Sequence, residues 1–192
     1  MTGLPEAFIL LLGIIDPLTS VAAFMSLSKG MDEGEKRKVA LKAVLVAAAV
    51  FYLFTFGGEP IMRLLGVSIE SFRAAGGIIL ILLGVQMSLG ISFPKEKEEV
   101  SEIAVVLATP LISGPATITT AIILASDAGL MVTTIAGAAA LLMTLLALVF
   151  AGTLNRLVGR SGVQIMSTMM GIVTIAWGLQ FLLTGMHAFE PA

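Results

Sequence analysis

Long apolar runs separated by short charged stretches set the organisation of this chain. The first run extends from about Ala7 to Ser28, and a mixed charged loop from Lys29 to Lys42 follows it. A second run spans about Val39 to Gly58, with Lys42 placed to snorkel at its end. Glu59 to Arg73 is amphiphilic and contains Pro60 and Gly66, and Ala74 to Phe93 forms a third run of twenty uncharged residues. After a second charged stretch, Lys95 to Glu102, come the fourth, fifth and sixth runs: Ile103 to Ser126, Ala128 to about Asn155, and Ser161 to Met186. At ~1.5 Å of rise per residue such runs reach across a bilayer core as helices. The pattern predicts an all-α polytopic membrane protein with six transmembrane helices.

Two of the six carry interruptions. Thr109-Pro110-Leu111-Ile112-Ser113-Gly114-Pro115 places two prolines and a glycine near the middle of the fourth run. Proline removes a backbone donor, clashes with the preceding turn and pushes the residue before it, here Thr109 and Gly114, out of the α region. The first run has an echo at the same depth, where Asp16-Pro17-Leu18-Thr19-Ser20 aligns with Thr109-Pro110-Leu111-Ile112-Ser113. A break at membrane depth is tolerated only where protein or a watery cavity satisfies the freed backbone groups. One interrupted helix in each half of a membrane chain points to a transport site.

A weak internal repeat agrees with two halves. Gly77-Ile78-Ile79-Leu80-Ile81-Leu82-Leu83-Gly84-Val85-Gln86 matches Gly171-Ile172-Val173-Thr174-Ile175-Ala176-Trp177-Gly178-Leu179-Gln180 at five of ten positions with an offset of 94, and the two Xaa-Pro breaks are offset by 93. The expected division is 1–94 as a first three-helix repeat, 95–102 as a cytoplasmic linker and 103–192 as a second repeat. An odd number of helices per half makes the second repeat inverted, which brings helices 1 and 4 together near the midplane. The loops joining runs 1–2, 3–4 and 5–6 hold nine Lys and Arg residues against Arg63 and Arg73 on the other side, so both termini are expected outside the cytoplasmic membrane. No Lys or Arg precedes the first run, so it lacks the basic region of a secretory signal peptide and is expected to be retained.

Composition narrows the classes further. Hydrophobic residues make up 57% and charged residues 12%, with a mean hydropathy of +1.03, which is outside the range of a soluble domain. With a formal net charge of -2 and basic residues confined to loops, nucleic-acid binding is not expected. The absence of cysteine excludes disulfides and thiol catalysis, and a single histidine argues against a histidine metal site; no cofactor is expected. An intramembrane enzyme would need a second deep carboxylate, a zinc motif or a serine with a base, and none of these is present.

The chemistry left is that of the breaks. Thr109, Ser113, Thr117 and Thr120 would share one face of a continuous helix, and Asp16, Thr19 and Ser20 fall at i, i+3 and i+4. A helix restarting after a break offers unpaired amides suited to a carboxylate, and the helix that ended offers carbonyls suited to an ammonium. A small zwitterion carries both groups. Asp16 is the one carboxylate placed deep in the membrane, where a charge costs roughly 2.5–3.5 kcal/mol on insertion scales. Three compatible roles stand open for it: ligand to an ammonium, protonatable coupling group, and cap of the helix that begins at Pro17. The hydroxyls equally have a structural use, bonding back to their own backbone or joining neighbouring helices. Gly76, Gly77, Gly84, Gly171 and Gly178 are expected to let helices approach closely, and Arg73 to anchor at the interface, paired with Glu70.

Taken in order, Asp16-Pro17-Leu18, Phe24, Leu27-Ser28-Lys29-Gly30, Phe72-Arg73-Ala74-Ala75-Gly76-Gly77 and Pro110-Leu111-Ile112-Ser113-Gly114-Pro115 resemble the MarC family, also called the small neutral amino acid transporter family. The resemblance covers nearly the whole chain. It implies a six-helix inner-membrane protein built of inverted three-helix repeats, grouped with LysE-type exporters, that moves glycine, alanine and similar amino acids on an ion gradient. The chain departs from the family pattern in having Thr19 and Ser20 where Gly and Asn are usual, and Ala22 near a usual proline.

The resulting expectation is a secondary active transporter of the glycine, alanine and serine class, working by alternating access and coupled to protons or another ion. Its substrate site is expected from Asp16, Pro17, Leu18, Thr19 and Ser20 facing Thr109, Leu111, Ser113, Gly114 and Thr117, with Asp16 also as coupling group. The expected partners are a small amino acid, a proton or other coupling ion and the lipid bilayer, with homo-oligomer formation left open. A channel, or a scaffold subunit that transports nothing, is the alternative.

Overall fold

The computed structural model describes residues 3–28, 30–89 and 112–187. Among them every regular element is helical: α1 (Leu4–Ile15), α2 (Pro17–Leu27), α3 (Glu33–Leu65), α4 (Ile69–Leu89), α5 (Pro115–Asp127), α6 (Leu130–Val149) and α7 (Ala151–His187). Five stretches are long and apolar enough to span a membrane: Leu4–Met25, Glu33–Leu65, Ile69–Leu89, Leu130–Val149 and Thr168–Met186. Of the expected fourth span, residues 103–111 lie outside the described residues, as does the linker 95–102. The described remainder holds α5, whose 13 residues reach only ~20 Å.

Element boundaries differ from the sequence pattern where local capping outweighs charge. The stretch from Glu33 to Lys42 is not loop but the first turns of α3. Asp32 and Glu35 form a capping box there: Glu35 N donates to Asp32 Oδ1 at 2.8 Å and Asp32 N to Glu35 Oε2 at 3.0 Å. At its other end α3 continues through Pro60 and stops at Gly66, whose φ of 68° closes the helix in the left-handed region. The helix thus covers both the second apolar run and most of the amphiphilic stretch after it. In α7 the backbone departs from helix at Gly159 (φ 68°, ψ 167°), which separates the short Ala151 arm from the membrane-spanning part.

Large side chains face outward along the spans, among them Leu45, Leu53 and Phe56 of α3, Ile78 and Leu82 of α4, Leu142 and Leu146 of α6, and Leu179 and Leu183 of α7. An apolar exterior of this kind suits lipid. The buried core combines Leu11, Ile14, Ile15, Phe24, Phe51 and Ile112 with small residues, Ala40, Ala43 and Ala47 on α3 and Ala136 and Ala140 on α6.

The most extensive helix pair is α4 with α7. Its seam is built from glycines at backbone contact. A Cβ on Gly77 would lie 2.5 Å from Gly178 O, and one on Gly84 would lie 2.5 Å from Gly171 O. Reciprocally, a Cβ on Gly178 would meet Gly77 O at 2.8 Å and one on Gly171 would meet Gly84 O at 2.7 Å. In the repeat, Gly77 matches Gly171 and Gly84 matches Gly178, so each glycine touches the match of the other glycine on its own helix. That crossed pairing is what a two-fold relation between two elements requires. Other contacts follow the same swap: α2 packs on α6 and α7, α5 packs on α3 and α4, and α3 and α6 pack on each other.

Candidate functional site

At two places inside this bundle, Asp16 and Gly114, the backbone lies outside the helical region directly before a proline that starts a helix. At the first, the Asp16 amide still closes α1 by donating to Leu12 O at 3.1 Å, but Asp16 itself has φ 43° and ψ 77°. It is the one non-glycine residue with positive φ among the described residues, a conformation that Asp tolerates better than most side chains. Pro17 opens α2 at its first position, where a missing N–H costs nothing. The Asp16 carboxylate caps this helix: Oδ1 accepts from Thr19 N at 3.3 Å and Oδ2 accepts from the Thr19 hydroxyl. Of the three roles open to Asp16, capping is therefore in place. Asp16 is 5% exposed.

At the second interruption Ile112 and Ser113 precede Gly114, which sits in extended conformation (φ -72°, ψ 178°), and Pro115 begins α5. Gly114 supplies no side-chain cap. The helical restart at Pro115, rather than a break at Thr109-Pro110, is the one that the described residues contain; Thr109, Pro110 and Leu111 lie outside them. Ser113 precedes the helix, so the single face of hydroxyls expected on a continuous helix is not formed. Gly114 and Pro115 turn the chain between Ser113 and Thr117.

The hydroxyls at both breaks reach backbone carbonyls. Ser20 Oγ lies 3.5 Å from Ile15 O, and Thr117 Oγ1 donates to Ile112 O at 3.0 Å, in each case five residues back across the break. These bonds answer the need to satisfy carbonyls that the interruption frees. Ser113 Oγ donates to Ala47 O of α3 at 2.7 Å. No side-chain pattern marks this backbone acceptor, although the small-residue stripe Ala40, Ala43 and Ala47 shows where another segment can approach α3 closely. Asp16, Ser20, Ser113, Gly114 and Thr117 are all buried, and Pro17, Leu18 and Thr19 are half-buried. α1 packs directly on α5, and α6 packs on both. The bonds just described run inside each break or to α3, and none of them bridges the two breaks.

Three further contacts frame the site. Trp177 of α7 lies over Gly13, three residues before Asp16, where a Cβ would come within 2.5 Å of the indole. Thr119 of α5 sits against Gly76 of α4, and Ile122 against Gly58 of α3. Arg73 Nη2 pairs with Asp127 Oδ1 at 2.5 Å, joining the start of α4 to the end of α5. This replaces the expected local pairing of Arg73 with Glu70; the partner lies 54 residues away, and a short-range charge pattern does not reveal it. Among the described residues no cluster of metal-ligating side chains occurs.

Apolar spans, a glycine-to-glycine seam and a helix interrupted at Asp16 within the bundle define an integral membrane protein of the discontinuous-helix kind. The sequence pattern of the MarC family of integral membrane proteins matches residues 1–189. The chain belongs to that family. A membrane protein of Methanocaldococcus jannaschii is 34% identical over 94% of each chain. The inner membrane protein MarC of Escherichia coli is 31% identical over 92% of this chain and 90% of its own. A membrane protein of Aquifex aeolicus is 29% identical over 94% of this chain and 91% of its own. No solved structure matches.

Proposed function

We propose that this protein is a secondary active transporter of small neutral amino acids across the cytoplasmic membrane, working by alternating access between inverted halves and coupled to protons or another ion. The observation that carries the reading is the pair of helix starts held inside one bundle, α2 at Pro17 directly after α1 and α5 at Pro115 directly after the extended Gly114. Interrupted helices expose backbone charge where a polar solute can be held at membrane depth. The crossed glycine pairing of α4 and α7 supports a two-fold relation of the halves. The burial of Asp16, Ser113 and Thr117 fits a closed state, which has to open for a substrate to enter.

The test is uptake of labelled glycine and alanine into proteoliposomes under an imposed proton gradient. The expected result is saturable accumulation that collapses with the gradient. Asp16→Asn keeps the capping geometry, because Asn also accepts from the Thr19 amide and tolerates positive φ; if Asp16 is the coupling group, the variant loses the pH dependence of transport. Conductance that never saturates would favour a channel, and no flux of any amino acid would favour a scaffold.

A further inference from the structure

The two helix restarts differ in one respect that bears on ligand binding. α2 has a carboxylate at its N-terminus, supplied by Asp16, whereas α5 has Gly114 there and no side-chain cap. Pro115 has no amide N–H and Ile118 N donates to Gly114 O at 3.0 Å, which leaves the first-turn amides of Ala116 and Thr117 as the donors of this end without an acceptor among the described residues.

A second observation lies one turn further along α5. The Thr120 hydroxyl is fully buried and has no hydrogen-bond partner among the described residues. Other buried threonines in the spans behave differently: Thr55, Thr133, Thr144 and Thr174 each donate to the carbonyl four residues back, at 2.8 to 3.0 Å. The carbonyl of Ala116 is available to Thr120 in the same way, yet the side chain does not use it. Its direction follows from the helix. Thr119 faces α4 and Ile122 faces α3, so at about 100° per residue Thr117 and Thr120 share the remaining side, the one covered by α1 and α6. Because Cα–Cβ bonds tilt toward a helix N-terminus, Thr120 leans toward the open first turn.

We propose that the uncapped start of α5 and the Thr120 hydroxyl together bind the charged head of a small α-amino acid. The substrate carboxylate takes the place at α5 that the Asp16 side chain fills at α2, accepting from the Ala116 and Thr117 amides. Its ammonium donates to Thr120 Oγ1. Four residues of helical rise, ~6 Å, lie within the reach of a carboxylate and ammonium with a hydrogen bond of ~2.9 Å at each end. This inference rests on the amino acid transport reading above and assigns the charged head of the substrate to the second break.

The experiment is a titration of detergent-purified protein with alanine and with alanine methyl ester, read by thermal shift, together with alanine uptake into proteoliposomes. Thr120→Val removes the hydroxyl at nearly constant volume. The expected outcome is an unchanged or higher melting point without ligand, since an unpaired buried hydroxyl is lost, and a weakening of alanine binding by tenfold or more. Thr120→Ser restores binding. Thr144→Val, which removes a hydroxyl bonded to Ala140 O, lowers the melting point and leaves alanine affinity as it was. The methyl ester, which lacks the anionic group, gives no shift. Gly114→Asp, which supplies an internal cap, stabilises the ligand-free protein and abolishes the alanine response. Alanine affinity within twofold of wild type in Thr120→Val, or a methyl ester shift equal to that of alanine, overturns this assignment while transport stands. Wild-type protein that neither binds nor transports any amino acid overturns the transport reading, and the assignment with it.

Discussion

Asp16 does two jobs at one position, ending α1 through its amide and starting α2 through its carboxylate. Replacing it separates them. Asp16→Ala removes the cap and leaves a Cβ residue with no polar side chain in the left-handed region, so a loss of about 1–2 kcal/mol is expected, whereas Asp16→Asn should lose only a fraction of that. Chemical denaturation of the two variants in mild detergent checks the difference. Ser113 is similar in scale: its bond to Ala47 O is buried, and Ser113→Ala should cost about 1 kcal/mol. Sequence alone identified Asp16, Thr19, Ser20, Ser113, Gly114 and Thr117 as residues of the breaks, because Pro17 and Pro115 act through local sterics that can be read from the chain. It did not identify what their hydroxyls bond to. Ile15 O, Ile112 O and Ala47 O are backbone acceptors, and no side-chain pattern marks them.

Among the elements, the α4–α7 seam is the least forgiving. A Cβ at Gly77 or Gly84 would be driven into the backbone of the facing helix, which cannot yield as a flexible side chain can. Gly77→Leu and Gly84→Leu should therefore fail to give monodisperse protein in detergent. Gly152→Ala, at a helical glycine with nothing within 4 Å of the added atom, should be neutral or mildly stabilising on the same size-exclusion and melting assays. The four glycines stand out in the sequence as a repeat, since close packing of membrane helices demands small residues at fixed spacing, but which of them meet is not marked there. Helix ends were less legible. The charged stretch before Val39 reads as loop on hydropathy, but the Asp32–Glu35 capping box starts α3 at Glu33. Arg73 and Asp127 illustrate the other limit, a pairing set by how α4 and α5 are brought together rather than by spacing along one helix.

For the whole molecule, the distribution of Lys and Arg gives an expected orientation with both termini outside. The chain has no cysteine, so single cysteines introduced near Gly3 and near Gly30 can be tested in intact cells against a membrane-impermeant maleimide. Labelling at Gly3 with protection at Gly30 is expected, and the reverse would invert the topology. The general architecture was legible because lipid leaves few solutions for a backbone: helices, closed at their ends, with apolar faces outward. The contact of Trp177 with Gly13 has a spectroscopic consequence. Trp177 is the single tryptophan of the chain, and its ring lies on α1 just before the first interruption. Intrinsic emission is therefore a label already installed at the joint between α1 and α2. If α1 swings away from α7 as the halves rock, the indole loses its close-packed neighbour, and its emission maximum and quenching by brominated lipid should change with saturating alanine, without any probe being attached.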